Sequence, residues 1–160
     1  MLEVKAVNYT NTKQAQELVG LMCAYSIDQM GGGAELSEQV QNDLASALAA
    51  VPTAYSFIAY VDGVAAGLIN TFEGFSTFKC KPLLNIHDVV VLPKYRGQGI
   101  SQAMLKAVEV FAKEKGCIKL TLEVLEGNKA AQDSYLKYGF SGYELDPKMG
   151  KALFWEKPLA

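Results

Sequence analysis

The chain is poor in the residues that build metal and redox centres. Of its 160 residues one is a histidine, His87, and three are cysteines, Cys23, Cys80 and Cys117, far apart in sequence. A single histidine excludes a histidine-rich metal centre, and no carboxylate cluster offers a substitute, so no metal is expected. Three separated cysteines form neither a disulfide frame nor a zinc pattern. They read as reduced thiols, which points to the cytoplasm. No apolar run approaches the roughly 18 residues that a membrane helix needs. The opening residues, Met1-Leu2-Glu3-Val4-Lys5, lack the basic-then-apolar order of a signal peptide. Neither a membrane nor a secretory route is expected. Excess charge is missing as well: 15 Lys and Arg against 17 Asp and Glu leave −2. Nucleic acid is therefore not expected as a partner.

What is present is an ordinary globular composition, 50% apolar and 20% charged, which excludes a disordered chain. The length fits one domain, residues 1–160. Such a chain buries about two-thirds of its unfolded surface, so it needs no disulfide or metal to hold it.

Periodicity places the elements. Residues 2–7 alternate enough for a strand. Asn11 or Thr12 caps a helix with Leu18, Leu21, Met22 and Tyr25 on its apolar face, and Gly31-Gly32-Gly33 breaks it. Ser37 opens a second helix carrying Val40, Leu44, Leu48 and Val51, ended by Pro52. Residues 55–61 and 64–72 read as strands joined by Asp62-Gly63, a dipeptide suited to a two-residue hairpin. Residues 73–81 read as irregular and 83–92 as a strong strand. The clearest helix runs over 100–115, with Ile100, Met104, Val108 and Phe111 in line and Gly116 as its stop. A strand over 118–124 follows, then a helix from an Asn128 cap to Tyr138, stopped by Gly139. Residues 141–143 and 151–156 form a closing strand pair. The expected fold is α/β, a mixed, mostly antiparallel central sheet with helices on both faces.

Chemistry concentrates where strand 83–92 runs into helix 100–115, through Lys94-Tyr95-Arg96-Gly97-Gln98-Gly99-Ile100-Ser101. A helix start leaves backbone N–H groups unpaired and carries partial positive charge, so phosphates bind there. Gly97 and Gly99 keep side chains away from an approaching anion. The nucleoside-triphosphate loop, which needs Gly-Lys-Ser/Thr, is absent. The dinucleotide fingerprint fails because its third glycine position holds Gln102. An Arg-Gly-x-Gly turn between strand and helix remains, read either as a phosphate cradle or as a tight turn.

This stretch resembles the pyrophosphate-binding motif of the GNAT acetyltransferases. Downstream, Asn128-x-x-Ala131-x-x-x-Tyr135-x-Lys137-x-Gly139-Phe140 is similar to that family's second signature. The resemblance implies acetyl-CoA as co-substrate, held by the backbone of Gly97, Gln98, Gly99, Ile100, Ser101 and Gln102, with Arg96 and Lys94 adding charge around it. Lys94 stands where Gln or Arg is usual, and Ser101 where a further glycine is frequent. It further implies that Val89, Val90 and Val91 pair with the pantetheine arm, with a backbone N–H facing the thioester carbonyl. Asn128 and Ala131 match coenzyme-contacting positions; Asn128 is equally a helix cap.

Tyr135 resembles the family's general acid, and a phenol titrates near 10, close enough to a thiol to protonate a departing thiolate. The alternative for Tyr135 is a core aromatic. His87 is the candidate base, since a neutral imidazole accepts a proton; its alternative is a buried structural histidine. Asp88 is its neighbour, and strand neighbours point to opposite faces unless a bulge intervenes. His87-Asp88 takes the place of a Glu-Asp pair in the polyamine acetyltransferases. Glu123 is a weaker base candidate. Tyr25, Phe72, Phe75 and Phe78 are candidate acceptor-site residues or core.

The leading expectation is an N-acetyltransferase acting on a primary amine of a small molecule by direct attack in a ternary complex. A protein N-terminal or lysine acetyltransferase of the same fold is the alternative, and a coenzyme A-binding sensor without turnover comes third. A homodimer is compatible with each.

Overall fold

The computed structural model describes residues 1–159. Two compact units divide the chain, Met1–Leu122 and a shorter one from Glu123 onward.

The first unit is built on a five-stranded sheet in the order β1-β2-β3-β4-β5. β1 (Leu2–Ala6), β2 (Ala54–Val61), β3 (Val64–Ser76) and β4 (Lys81–Val91) pair antiparallel in chain order. β5 (Leu120–Leu122) lies parallel to β4, the pairing that demands a crossover. The helices take both faces. α1 (Thr12–Ile27) and α2 (Glu38–Ala49) send Leu18, Leu21 and Leu48 into a core with Ile58, Leu68 and Val90. α3 (Ile100–Glu114) sets Phe111 against Tyr55 and Phe57, ring centres 4.7 and 5.4 Å away. Phe57 and Ile58 are strand neighbours, so the two groups of helices lie on opposite faces. A mixed, mostly antiparallel sheet with helices on both faces is what the sequence pattern predicted.

Local chemistry explains the elements. Asn11 and Ser37 accept bonds from the N–H groups of Gln14 and Val40, which caps α1 and α2. Asp62 (φ 49) and Gly63 (φ 80) both take positive φ, as a primed two-residue turn requires. Tyr60 donates to Glu17 of α1 at 2.6 Å. Burial, reinforced by Glu17, pushes its phenol up to about 12.

Three expectations change. Residues 73–81 are not irregular: the β3–β4 ladder continues through Glu73↔Leu84 to Ser76↔Lys81, and only 77–80 turn. Glu73 is held there by Lys115 at 3.2 Å. β5 is three residues long, where a strand over 118–124 was expected. The second unit contains α4 (Lys129–Tyr138), capped by Asn128 and stopped by Gly139 at φ 117. The closing pair over 141–143 and 151–156 forms no ladder; one bond, Ala152 N–H to Tyr143 C=O at 3.1 Å, joins the two stretches. Leu153, Phe154 and Trp155 are exposed, so no buried apolar face holds that pair in register. Among the described residues no helix is long and apolar enough to cross a membrane.

Gly67 on β3 is a close contact between sheet and α3. A Cβ there would sit 3.0 Å from the Val90 carbonyl oxygen and 3.2 Å from both Ile100 and Met104. Gly67→Ala is expected to destabilise the protein by about 1–3 kcal/mol through overpacking, read by urea unfolding. An unchanged midpoint would show that α3 yields freely.

Candidate active site

The site begins with a fault in a ladder. β3 and β4 pair without interruption from Ser76↔Lys81 to Thr71↔Ile86. The next pair is Asn70↔Asp88, so His87 has no cross-strand partner. This is a β-bulge, with two residues opposing one. Paired residues share a face, and Asn70 and Thr71 point to opposite faces, so Ile86 and Asp88 do too. Asp88 thereby joins Val90 on the α1 side of the sheet. His87 lies edge-on to Phe72, ring centres 5.4 Å apart, and Phe72 packs against the same α1-side core. The bulge brings both His87 and Asp88 to one face, as the sequence reading required. His87 is exposed, which removes the alternative of a buried structural histidine.

Asp88 ends a chain of polar groups. Its Oδ2 accepts from Asn70 Nδ2 at 3.0 Å. Asn70 Oδ1 accepts from Ser56 Oγ at 2.6 Å, and Tyr9 Oη lies 2.8 Å from Ser56 Oγ. Ser56 spends its one proton on Asn70, so Tyr9 is the donor to Ser56. Tyr25 borders the same face: burial pushes its phenol up, and the charges of Asp88 and Asp28 add to the effect. The sequence reading missed Asn70, Ser56 and Tyr9. Ser56 and Asn70 carried a signal, a polar residue inside each of two apolar strand runs; Tyr9 carried none. Of the other aromatic candidates, Phe75 and Phe78 are exposed.

Beyond the bulge, β4 has an open edge. It pairs with β5 only at Leu84, Asn85 and Ile86, so 87–91 carry a strand on the β3 side alone. Leu92 N–H bonds Ala66 of β3 at 2.9 Å. By alternation the backbone groups of Val89 and Val91 face the open edge. The Val91 carbonyl there accepts from Arg96 Nε at 3.1 Å. The Val90 side chain is buried in the core.

β4 then runs through a 3-10 turn, Pro93–Tyr95, into the loop that starts α3. Gly97 (φ 76) and Gly99 (φ 78) take the left-handed region that favours glycine. Nothing lies within 4 Å of a Cβ at either. Gly99 is the N-cap and offers α3 no side-chain hydrogen bond. Ile100 is buried, Ser101 and Gln102 are half-buried on the first turn, and Gln98 is exposed. Lys94 sits over the Tyr95 ring at 4.9 Å. Positive dipole, open space and left-handed glycines suit a pyrophosphate. Arg96 does not simply add charge to the cradle. Its Nη2 binds Asp28 at 3.0 Å, tying the loop to the turn after α1.

In the second unit, Asn128 accepts from Ala131 N–H at 3.1 Å, so the cap role is real. Tyr135 is half-buried on α4, 5.9 Å from the Phe140 ring. Glu123 is exposed, one residue past β5. Among the described residues no group of three or more His, Cys, Asp or Glu is placed to hold a metal.

The model of the Acetyltransferase (GNAT) family matches residues 21–140. The chain belongs to the GNAT acetyltransferases. This GNAT chain is 43% identical over 68 residues to a thialysine N-epsilon-acetyltransferase of Bos taurus, which covers 42% of the chain and 39% of that protein. It is 35% identical over 86 residues to a streptothricin acetyltransferase of Streptomyces lavendulae, 52% of the chain and 46% of that protein. The matches thus span under half the length of these curated relatives. In fold it is similar to an aminoglycoside acetyltransferase from an uncultured soil metagenomic sample, in complex with sisomicin, with a TM-score of 0.80, 18% identity and coverage of 99% and 97% of the two chains.

Asp28 allows a direct test of the loop tie. The Met30 N–H and then the Arg96 guanidinium hold its carboxyl below the ordinary 3.8. A depressed folded value adds stability above the unfolded value, and that stability is lost as pH falls through the folded one. Asp28→Asn keeps the acceptor for Met30 and removes the charge. The melting-temperature gap between wild type and variant is expected above 3.8 and closes in stronger acid. It is small, because the pair is exposed. A gap independent of pH would contradict the ion pair.

Proposed function

We propose that residues 1–160 form one catalytic domain that transfers the acetyl group of acetyl-CoA to a primary amine of a small molecule. The amine attacks directly in a ternary complex. The observation that carries this reading is the continuity of β4. One strand presents His87 and Asp88 on one face, offers an open edge at Val89 and Val91, and ends at the glycine-lined start of α3. The matched stretches of two curated acetyltransferases, one named for an amine of thialysine, support acyl transfer to nitrogen.

Each residue then has a task. The backbone of residues 96–102 holds the pyrophosphate, and the open edge of β4 orders the pantetheine arm. The bound thioester supplies the activated acyl group. The Val89 N–H is a donor for the carbonyl oxygen, where negative charge grows during acyl transfer. Asp88 holds the cationic amine, and His87, exposed beside it, takes the proton that must leave before attack. Tyr135 has the acid's role, giving a proton to the thiolate, on the strength of the family signature in the second unit. Asn128 and Ala131 complete the coenzyme contacts. The same proposal places the protein in the cytoplasm, in keeping with its three free thiols, and allows a homodimer.

A mass-spectrometric screen of small amines and N-terminal peptides with acetyl-CoA tests the reading. Acetylated small amines are expected; peptide products alone would favour a protein acetyltransferase. Gly99→Glu puts a bulky anion in the cradle and is expected to abolish coenzyme A binding in calorimetry. Unchanged affinity would remove the cradle from the site.

Two variants separate the proton roles. With His87 as base, His87→Ala lowers kcat/KM and alters its pH profile with coenzyme A affinity intact. Tyr135→Phe lowers kcat by about 10²–10⁴-fold with acetyl-CoA affinity kept. An unaltered pH profile in the first variant, or near wild-type kcat in the second, would strip that residue of its role.

A further inference from the structure

We infer that Asn70 is a positioning residue for the acceptor amine, acting through Asp88 and locked from behind by Ser56 and Tyr9. The inference rests on the reading that Asp88 holds the amine.

Asn70 is the cross-strand partner of Asp88 at the first pair beyond the bulge. Asn70 is 4% exposed and Ser56 3%. A polar group buried that deeply is costly unless its hydrogen bonds are made. All of Asn70's are: Nδ2 donates to Asp88 Oδ2 at 3.0 Å and lies 3.3 Å from Met22 Sδ, while Oδ1 accepts from Ser56 at 2.6 Å. No buried side-chain nitrogen or oxygen among the described residues lacks a partner.

The amide can face only one way. Rotated by half a turn, it would set its oxygen against the Asp88 carboxylate and its NH₂ against the Ser56 proton. Ser56 is itself polarised, because Tyr9 donates to it. The sequence Tyr9 to Ser56 to Asn70 therefore aims an N–H at one carboxylate oxygen. With Oδ2 so held, Asp88 cannot swing with its cationic partner, and Oδ1 is the oxygen that meets the amine. The effect belongs in amine binding. Nothing in the chain touches the coenzyme loop, and no proton needs to travel along it.

Steady-state kinetics with acetyl-CoA as donor test this. The acceptor is thialysine, and the best acceptor of the amine screen if that is another compound. Asn70→Leu keeps the branched shape and removes the donor. KM for the amine is expected to rise about tenfold, the scale of a hydrogen bond to a charged group. kcat should change far less, and coenzyme A affinity not at all. Combined with Asp88→Asn, the same substitution should add almost nothing, because its target charge is gone. Ser56→Ala leaves Asn70 Oδ1 without its donor, loosens the amide and gives the same split at smaller size; it also serves if Asn70→Leu folds poorly by thermal melting. Losses that multiply in the double variant, or a lowered melting temperature with KM unchanged in both Asn70→Leu and Ser56→Ala, would make Asn70 a packing residue and overturn the inference alone. Asp88→Asn with wild-type KM would overturn the reading of Asp88 and the inference with it.

Discussion

One residue too many in a ladder sets the geometry of this protein. Without the bulge at His87, Ile86, Asp88 and Val90 would share a face, and His87 would point away from Asp88. With it, the apolar alternation of β4 switches faces in mid-strand. Leu84 and Ile86 serve the α3 side, and Val90 serves the α1 side. The switch frees the α1 face beside the bulge for a carboxylate and an imidazole. Parallel pairing with β5 also stops at Ile86, so the ladder fault and the end of the shared edge coincide. The strand is thereby divided into a half paired on both edges and a half paired on one.

The half paired on one edge is held from both ends. On the same face as Asp88, buried Asn70 and Ser56 and half-buried Tyr9 stand where apolar side chains would pack more cheaply. Such a run is tolerable only when every bond is made, as it is here. At the far end, Arg96 is bound by the Val91 carbonyl and by Asp28. The guanidinium that a reader of Arg-Gly-x-Gly would assign to phosphate is thus a brace for the loop. The turn itself offers backbone alone: two left-handed glycines and a helix start whose cap residue supplies no side-chain acceptor.

How much was legible follows from which signals are local. Caps at Asn11, Ser37 and Asn128 and the Asp62-Gly63 turn were readable, because a few adjacent residues decide them. The glycine-bearing start of α3 was readable for the same reason, and its family likeness gave it a chemical meaning. The bulge has no residue-type signature. His87 resembles any exposed strand residue until its partner strand is counted off against it. Residues 73–81 misled because Gly74, Phe75 and Phe78 look like loop, while cross-strand neighbours such as Leu83 and Leu84 keep most of them extended. Residues 141–156 misled in the other direction: strand-like composition did not bring a ladder. Asn70 and Ser56 were passed over as ordinary breaks in apolar runs, although a polar side chain that must be buried is itself a signal.

Strand order also carries a consequence for how the molecule assembles. β1 is joined to the sheet through β2, and β2, β3 and β4 follow one another as successive hairpins, so these last three can zip together through short-range closures. The β4–β5 pair is different in kind. Its partners are parallel, Leu84 meeting Leu120, and they come together only after the intervening loop and α3 have crossed the sheet. Non-local parallel pairing of this type is slow compared with hairpin closure. Ser56, Asn70 and Asp88 come together within the hairpins of β2, β3 and β4, whereas Tyr9 and Tyr60 meet partners 47 and 43 residues away. In kinetic refolding, backbone protection within β2–β4 is expected early, and signals from Tyr9, Tyr60 and the β4–β5 ladder late.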